Sequence, residues 1–207
     1  MLIIYDFTPR ITIFTDNITT LESLLIYAMK TITYQSDYLG NGFEFATINQ
    51  PDDYEGKVVA TVIRKQCSMP SNKAVLYVHG FNDYFFQSDM AHRFNEKGFH
   101  FYAVDLRKYG RSTLPHHKSN NMRSLTEYFA DLDEALDIVR QEGNEQVLLS
   151  GHSTGGLLVT LYASERVGNE KFDTIFCNSP FYDMNMPGYQ KRLLVPLVAL
   201  FGKYFPD

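Results

Sequence analysis

The sequence predicts an α/β fold, and three observations predict it. Apolar or period-two runs alternate with runs of helical period along most of the chain. Two β-branched segments joined by a short polar turn precede that alternation and read as a hairpin. Further on, the apolar run QVLLSG passes directly into GGLLVTLYASERV across a serine set among glycines, which is the pattern of a strand running into a helix.

In chain order, residues 1–42 carry the weakest pattern. Thr19 and Glu22 stand as the caps of a short amphipathic helix through Leu21, Leu24, Leu25 and Ala28, and the segment reads as a packing appendage. FEFATIN (43–49) alternates as a strand. KVVATVIRKQ (57–66) pairs with it through the turn residues Pro51, Asp52, Asp53 and Gly56. AVLYVHG (74–80) has the length and composition of a buried strand. DYFFQSDMAHRFNEKG (83–98) sets Phe86, Met90 and Phe94 at helical spacing and ends on glycine, so a helix is expected there. FHFYAVDLR (99–107) is the next strand. In 124–143, Leu125, Tyr128, Phe129, Leu132, Leu136 and Val139 share one helical face, and Ser124 with Glu127 forms a capping box. A strand (146–151), a helix (155–167) and a strand (173–179) complete the pattern. Six strands result, the first two antiparallel and the later ones parallel through right-handed crossovers.

The bulk numbers place the chain among globular domains. Its 207 residues suffice for one core, 44% of them are hydrophobic and 21% charged. The formal charge of −5 lacks the basic excess of a phosphate-binding face, so no nucleic-acid partner is expected. Cys67 and Cys177 are far apart and in no metal-type spacing, and each reads as a small apolar residue. MLIIYDFTPR lacks the basic start and long apolar run of a secretion signal, and no apolar run approaches the length of a membrane span. A cytoplasmic location is the default expectation.

The serine at the joint is Ser153. A side chain on a sharp strand-to-helix turn is lifted out of the sheet edge, and the residues two before and two after must be small. Gly151 and Gly155 occupy those places, and Gly156 adds room. Strand, G-x-S-x-G and helix together make a nucleophile elbow with Ser153 as nucleophile. The turn aims the Thr154 N–H at the point where an oxyanion would form, and the helix N-terminus adds a favourable field.

Three segments carry a resemblance to the α/β-hydrolase fold, and within it to the monoacylglycerol lipase, lysophospholipase and serine-aminopeptidase-like hydrolases. VLYVHGFNDY (75–84) is similar to the family's oxyanion loop, FYAVDLRKYGRS (101–112) to its D-x-R-G-x-G-x-S segment, and LLSGHSTGG (148–156) to its elbow. Lys108 stands where that second pattern has its first glycine. The resemblance covers roughly residues 43–183. It implies a second oxyanion donor after the strand 74–80, namely the Phe81 N–H, with Gly80 permitting the tight turn and His79 structural. It also implies hydrolysis of a small-molecule or lipid ester, or of an amide, through an acyl-enzyme on Ser153, without metal or organic cofactor. Asp105, Arg107 and Arg111 read as loop-fixing hydrogen bonds and ion pairs.

The triad is incomplete. In this fold the acid and histidine follow the serine. Asp173, Asp183 and Asp207 do follow Ser153, but no histidine lies beyond His152. His116 and His117 read as a solvated loop pair, and Asp183 is a minor candidate for the acid. The expectation is an incomplete sheet whose base and acid lie outside this chain, with residues 184–207 as the start of a lid. The apolar tail 193–207 reads either as a lid in peripheral contact with acyl chains or a membrane surface, or as a helix that packs on a body not present. Alone, the chain is expected to be inactive and to self-associate along its last strand. A non-catalytic binding module of the same fold is the alternative.

Overall fold

The computed structural model describes residues 32–166, 168 and 171–204. The helix expected through Leu21 to Ala28 lies outside the described residues. A two-residue strand β1 (Gln35–Ser36) pairs antiparallel with β2 (Glu44–Asp53), which forms the expected hairpin with β3 (Gly56–Lys65). Then follow β4 (Lys73–Val78), helix α1 (Ser88–Glu96), β5 (His100–Asp105), helix α2 (Phe129–Gln141), β6 (Gln146–His152), helix α3 (Thr154–Glu165), β7 (Thr174–Asn178) and helix α4 (Gly188–Tyr204). Among the described residues seven strands form one sheet in the order β1-β2-β3-β5-β4-β6-β7, one strand more than expected.

β3 meets β5 antiparallel, whereas β5, β4, β6 and β7 run parallel. The inner strands β5, β4 and β6 read as near-continuous apolar runs because both of their faces are covered, whereas β7 closes the sheet with exposed and half-buried residues. β4, β5 and most of β3 are buried accordingly. One apolar cluster joins Phe43, Ile63, Val75, Phe85, Phe101 and Ala103. Helix α2 lays Phe129, Leu132, Ala135, Leu136 and Val139 into the core, which is the face its periodicity predicts.

Two elements differ from their expected bounds. Helix α1 begins at Ser88 rather than near residue 83. The Phe85 N–H donates to Asp105 Oδ1 (2.8 Å) and the Phe85 carbonyl accepts from Arg111 Nη1 (2.9 Å), so side chains take the groups a helix would need. Phe85 is consequently the buried aromatic and Phe86 is exposed. The Ser124–Glu127 box is present, but it caps a 3₁₀ turn, Leu125–Tyr128, that leads into α2. Glu127 Oε1 accepts from the Ser124 N–H at 3.0 Å.

The strand order determines where a crevice opens. The chain leaves β4 for β5 on one side, then crosses back to β6 on the other side of β4. Loops leaving β4 and β6 at their carboxyl ends therefore diverge, which is where open α/β sheets bind ligands.

Candidate active site

Ser153 occupies that crevice. It follows the last residue of β6 and precedes the first of α3, at φ 52° and ψ −119°. A residue with a Cβ pays about 1–3 kcal/mol for such a conformation and keeps it only where its surroundings enforce it. The glycines show that crowding. A Cβ on Gly151 would run into the backbone of Gly155 and Gly156, and one on Gly155 would run into the carbonyls of Val78 and His79. A Cβ on Gly156 would lie 2.7 Å from Pro180 Cβ. The elbow thus packs against the end of β4 and the exit of β7 at van der Waals contact, and only glycines allow it. The Ser153 side chain is half-buried.

The loop after β4 reaches the same place. A Cβ on Gly80 would stand 3.2 Å from Ser153 Cβ. Phe81 and Thr154 line one cavity of about 210 Å³, together with Leu106, Tyr109, Leu158 and Phe181. Thr154 is the first residue of α3, so its N–H has no partner within the helix. The three residues named from the sequence, Ser153, Phe81 and Thr154, are therefore neighbours around one crevice. Among the described residues no charged side chain lines the cavity.

The histidines are elsewhere. His79 is buried, and its burial holds the imidazole below its usual pKa despite the nearby Asp105. Its Nε2 accepts from the Leu106 N–H (3.2 Å), so the proton is on Nδ1, which donates to the Gly80 carbonyl (2.8 Å). Both nitrogens are spent in shaping the loop. His152 Nδ1 lies 3.2 Å from the Asn178 carbonyl. His100, at the start of β5, bonds to the Cys67 N–H and lies at the opposite edge of the sheet from Ser153. His116 and His117 meet edge to face with ring centres 4.4 Å apart, and each places Nε2 within 2.9 Å of the Lys57 carbonyl. His92 rests against the Phe43 ring. Among the described residues none of the six histidines hydrogen-bonds to Ser153 Oγ. Asp183 is exposed and pairs with Lys191, whose hydrogen bond holds its carboxyl below the usual range.

The polar loop after β5 braces the site from behind. Asp105 Oδ2 accepts from the Arg111 N–H (3.0 Å) and Nη1 (2.8 Å), and Arg111 also forms a two-point pair with buried Asp37 (2.7 and 3.0 Å). Arg107 forks onto buried Asp131. These are the loop-fixing roles expected for Asp105, Arg107 and Arg111. Asp37 as the second anchor is invisible in sequence, because 74 residues separate the pair. No helix among the described residues is long and apolar enough to cross a membrane.

Comparison with known proteins points the same way as the geometry. The family model for serine aminopeptidase, S33, matches residues 69–207. Monoacylglycerol lipase from Paleococcus ferrophilus is similar at 26% identity and a TM-score of 0.55, over 70% of this chain and 52% of that one. A carboxyl esterase from Bacillus coagulans aligns at 21% identity and a TM-score of 0.59, over 77% and 51%. A variant of the Saccharomyces cerevisiae monoglyceride lipase aligns at 19% and 0.55, over 84% and 53%. The chain thus spans about half the length of these structures. Comparison with curated proteins yields no match.

Proposed function

Since the chain belongs to the serine aminopeptidase S33 family of α/β-hydrolases, we propose that it is the nucleophile-bearing part of a serine hydrolase acting on carboxylic esters. The observation that carries this reading is Ser153 held at positive φ on a strand-to-helix joint, beside the glycine-bearing loop after β4.

In this reading Ser153 Oγ attacks the carbonyl carbon of the ester. Its proton passes to a histidine supplied from outside these 207 residues, oriented by an acid from the same source. Phe81 and Thr154 N–H groups hold the oxyanion, the alcohol leaves with the proton, and water then releases the acid from the acyl-enzyme.

The cavity supports an ester over a peptide amine. A free N-terminal ammonium leaving water needs a carboxylate partner, and among the described residues no charged side chain lines this space. An engineered apolar cavity of about 150 Å³ accepts benzene, so one of about 210 Å³ accommodates roughly eight carbon atoms. Small esters, or the first part of a monoacylglycerol or lysophospholipid acyl chain, fit that description. Helix α4, with Leu193, Val198 and Phe201 exposed, would then meet acyl chains or a lipid surface, in a cytoplasmic protein.

A second reading is a non-catalytic module of the same fold, and it fits the observation that among the described residues no histidine hydrogen-bonds to Ser153 Oγ. Labelling with a fluorophosphonate separates the two. The full-length gene product should be labelled, and Ser153→Ala should lose the label entirely. A full-length protein that stays unlabelled while folded leaves the binding module as the answer. A panel of matched esters, amides and proline-terminated peptides then assigns the bond that is cleaved.

A further inference from the structure

A nucleophile held in a sparsely populated backbone region keeps its aim only while its neighbours over-determine it. The glycines of the elbow permit that conformation but do not enforce it. The residues leaving β7 do. The Ser153 N–H donates to the Asn178 carbonyl at 3.1 Å, and the Ser153 carbonyl accepts from the Phe181 N–H at 2.9 Å. Both backbone polar groups of one residue are thus tied to a single four-residue segment. Within it Ser179 adopts φ 48°, which turns the chain back toward the elbow. Pro180 lies against Gly156, where a Cβ would come 3.0 Å from its Cα. The Ser153 carbonyl also accepts from Gly156 N–H (3.0 Å) and Leu157 N–H (3.3 Å), so the segment and the first turn of α3 grip it from two directions.

We propose that Asn178–Phe181 is a positioning clamp for Ser153, which acts through the orientation of that residue and not through contact with substrate at its N–H. This rests on the hydrolase reading above. Phe181 makes the idea testable because its two parts do different things. Its ring lines the cavity, and its N–H holds the nucleophile's carbonyl. Losing the ring changes the fit of the acyl group. Losing the N–H frees the serine backbone to relax and carries Oγ off line.

Phe181→Ala and Phe181→Pro both remove the ring, and only the second removes the donor. In the full-length protein both variants should raise KM for esters with apolar acyl groups. Phosphonylation of Ser153 by a fluorophosphonate should be about tenfold slower in Phe181→Pro than in Phe181→Ala, the loss of roughly one hydrogen bond. Equal labelling rates for the two overturn the clamp while leaving the hydrolase reading intact. Should the proline variant fail to fold, Ser179→Val and Ser179→Gly decide. Glycine accepts φ 48° and a β-branched residue does not, so labelling should again be about tenfold slower in the valine variant, and equal rates again overturn the clamp. A parent protein with no label at Ser153 overturns the hydrolase reading and the clamp together.

Discussion

The ammonium of Lys108 has no exposed surface. It sits 2.7 Å from Asp53 and 2.8 Å from Glu55, at 4.1 Å from the centre of the Tyr54 ring. Its backbone stands at φ 66°, where glycine is at ease and lysine is not. The ion pair therefore repays a conformational cost. It also pins the β2–β3 turn to the loop that gives Leu106 and Tyr109 to the cavity. Lys108→Met leaves two carboxylates without a cation in a nearly closed space, and should cost about 3 kcal/mol in denaturant unfolding at neutral pH. The pH dependence carries a sign. Burial would raise both carboxyls, but the hydrogen bond and charge of Lys108 outweigh it and hold both below the usual range, Glu55 at about 2. A carboxyl lowered in the fold stabilises it above its unfolded pKa and loses that contribution as pH falls through the folded value. The parent should therefore lose stability between pH 4.5 and about 2 through Glu55. In Lys108→Met the same acidification should remove a repulsion, so the gap in thermal midpoint between variant and parent should be widest at neutral pH and narrow as pH falls toward about 2. Ser153 gives a second residue-scale test. Ser153→Gly relieves its backbone and should gain about 1 kcal/mol by thermal or denaturant unfolding. Gly155→Ala drives a methyl into the end of β4 and should cost at least about 3 kcal/mol.

Among the elements, α2 starts from a box rather than from its own first turn. Glu127 Oε1 accepts from the N–H groups of both Arg123 and Ser124 at 3.0 Å, and the Ser124 hydroxyl accepts from Thr126 N–H. Glu127→Ala should cost about 1 kcal/mol in urea unfolding, and Glu127→Gln should recover most of it, because the amide oxygen can still accept. The sequence signalled this element well, since box and apolar face lie within twenty residues. It could not separate a 3₁₀ turn from a helix there, because Leu125 and Tyr128 suit either. The inner parallel strands were legible because a doubly covered strand needs apolar residues at every position, and the elbow because strand, glycines and helix are consecutive. What stayed hidden depends on partners far along the chain. The late start of α1 depends on Asp105 and Arg111, the anchoring of Arg111 on Asp37, and the hold on Ser153 on residues 178 to 181. Local period carries no trace of any of these. Lys108 was visible as a departure from a glycine, yet nothing nearby in sequence announced that two acids from the hairpin turn would make the departure tolerable.

At the scale of the whole molecule the sheet has two unlike edges. β1 is two residues long, and short edge strands are poor templates for a further strand. β7 is five residues long and, among the described residues, pairs on one side only, with β6. Phe176 projects from it 54% exposed. Helix α4 presents Leu193, Leu194, Val198, Leu200 and Phe201 to solvent, with Pro196 interrupting its hydrogen-bond ladder. Scattered apolar residues are ordinary on a protein surface, but a free strand edge and a helix apolar on several sides are not. Made as this 207-residue polypeptide, the protein should associate with itself, and its mass by light scattering should rise with concentration. Two substitutions separate the causes. Phe176→Lys places a charge on the free strand, the device by which natural edges block pairing. Val198→Lys breaks the apolar surface of α4 and leaves the edge untouched. If strand pairing drives association, the first variant should lower the mass toward that of a monomer and the second should not. If only Val198→Lys does so, the helix is the adhesive surface. A parent that stays monomeric at every concentration shows that neither surface is sticky enough to act alone.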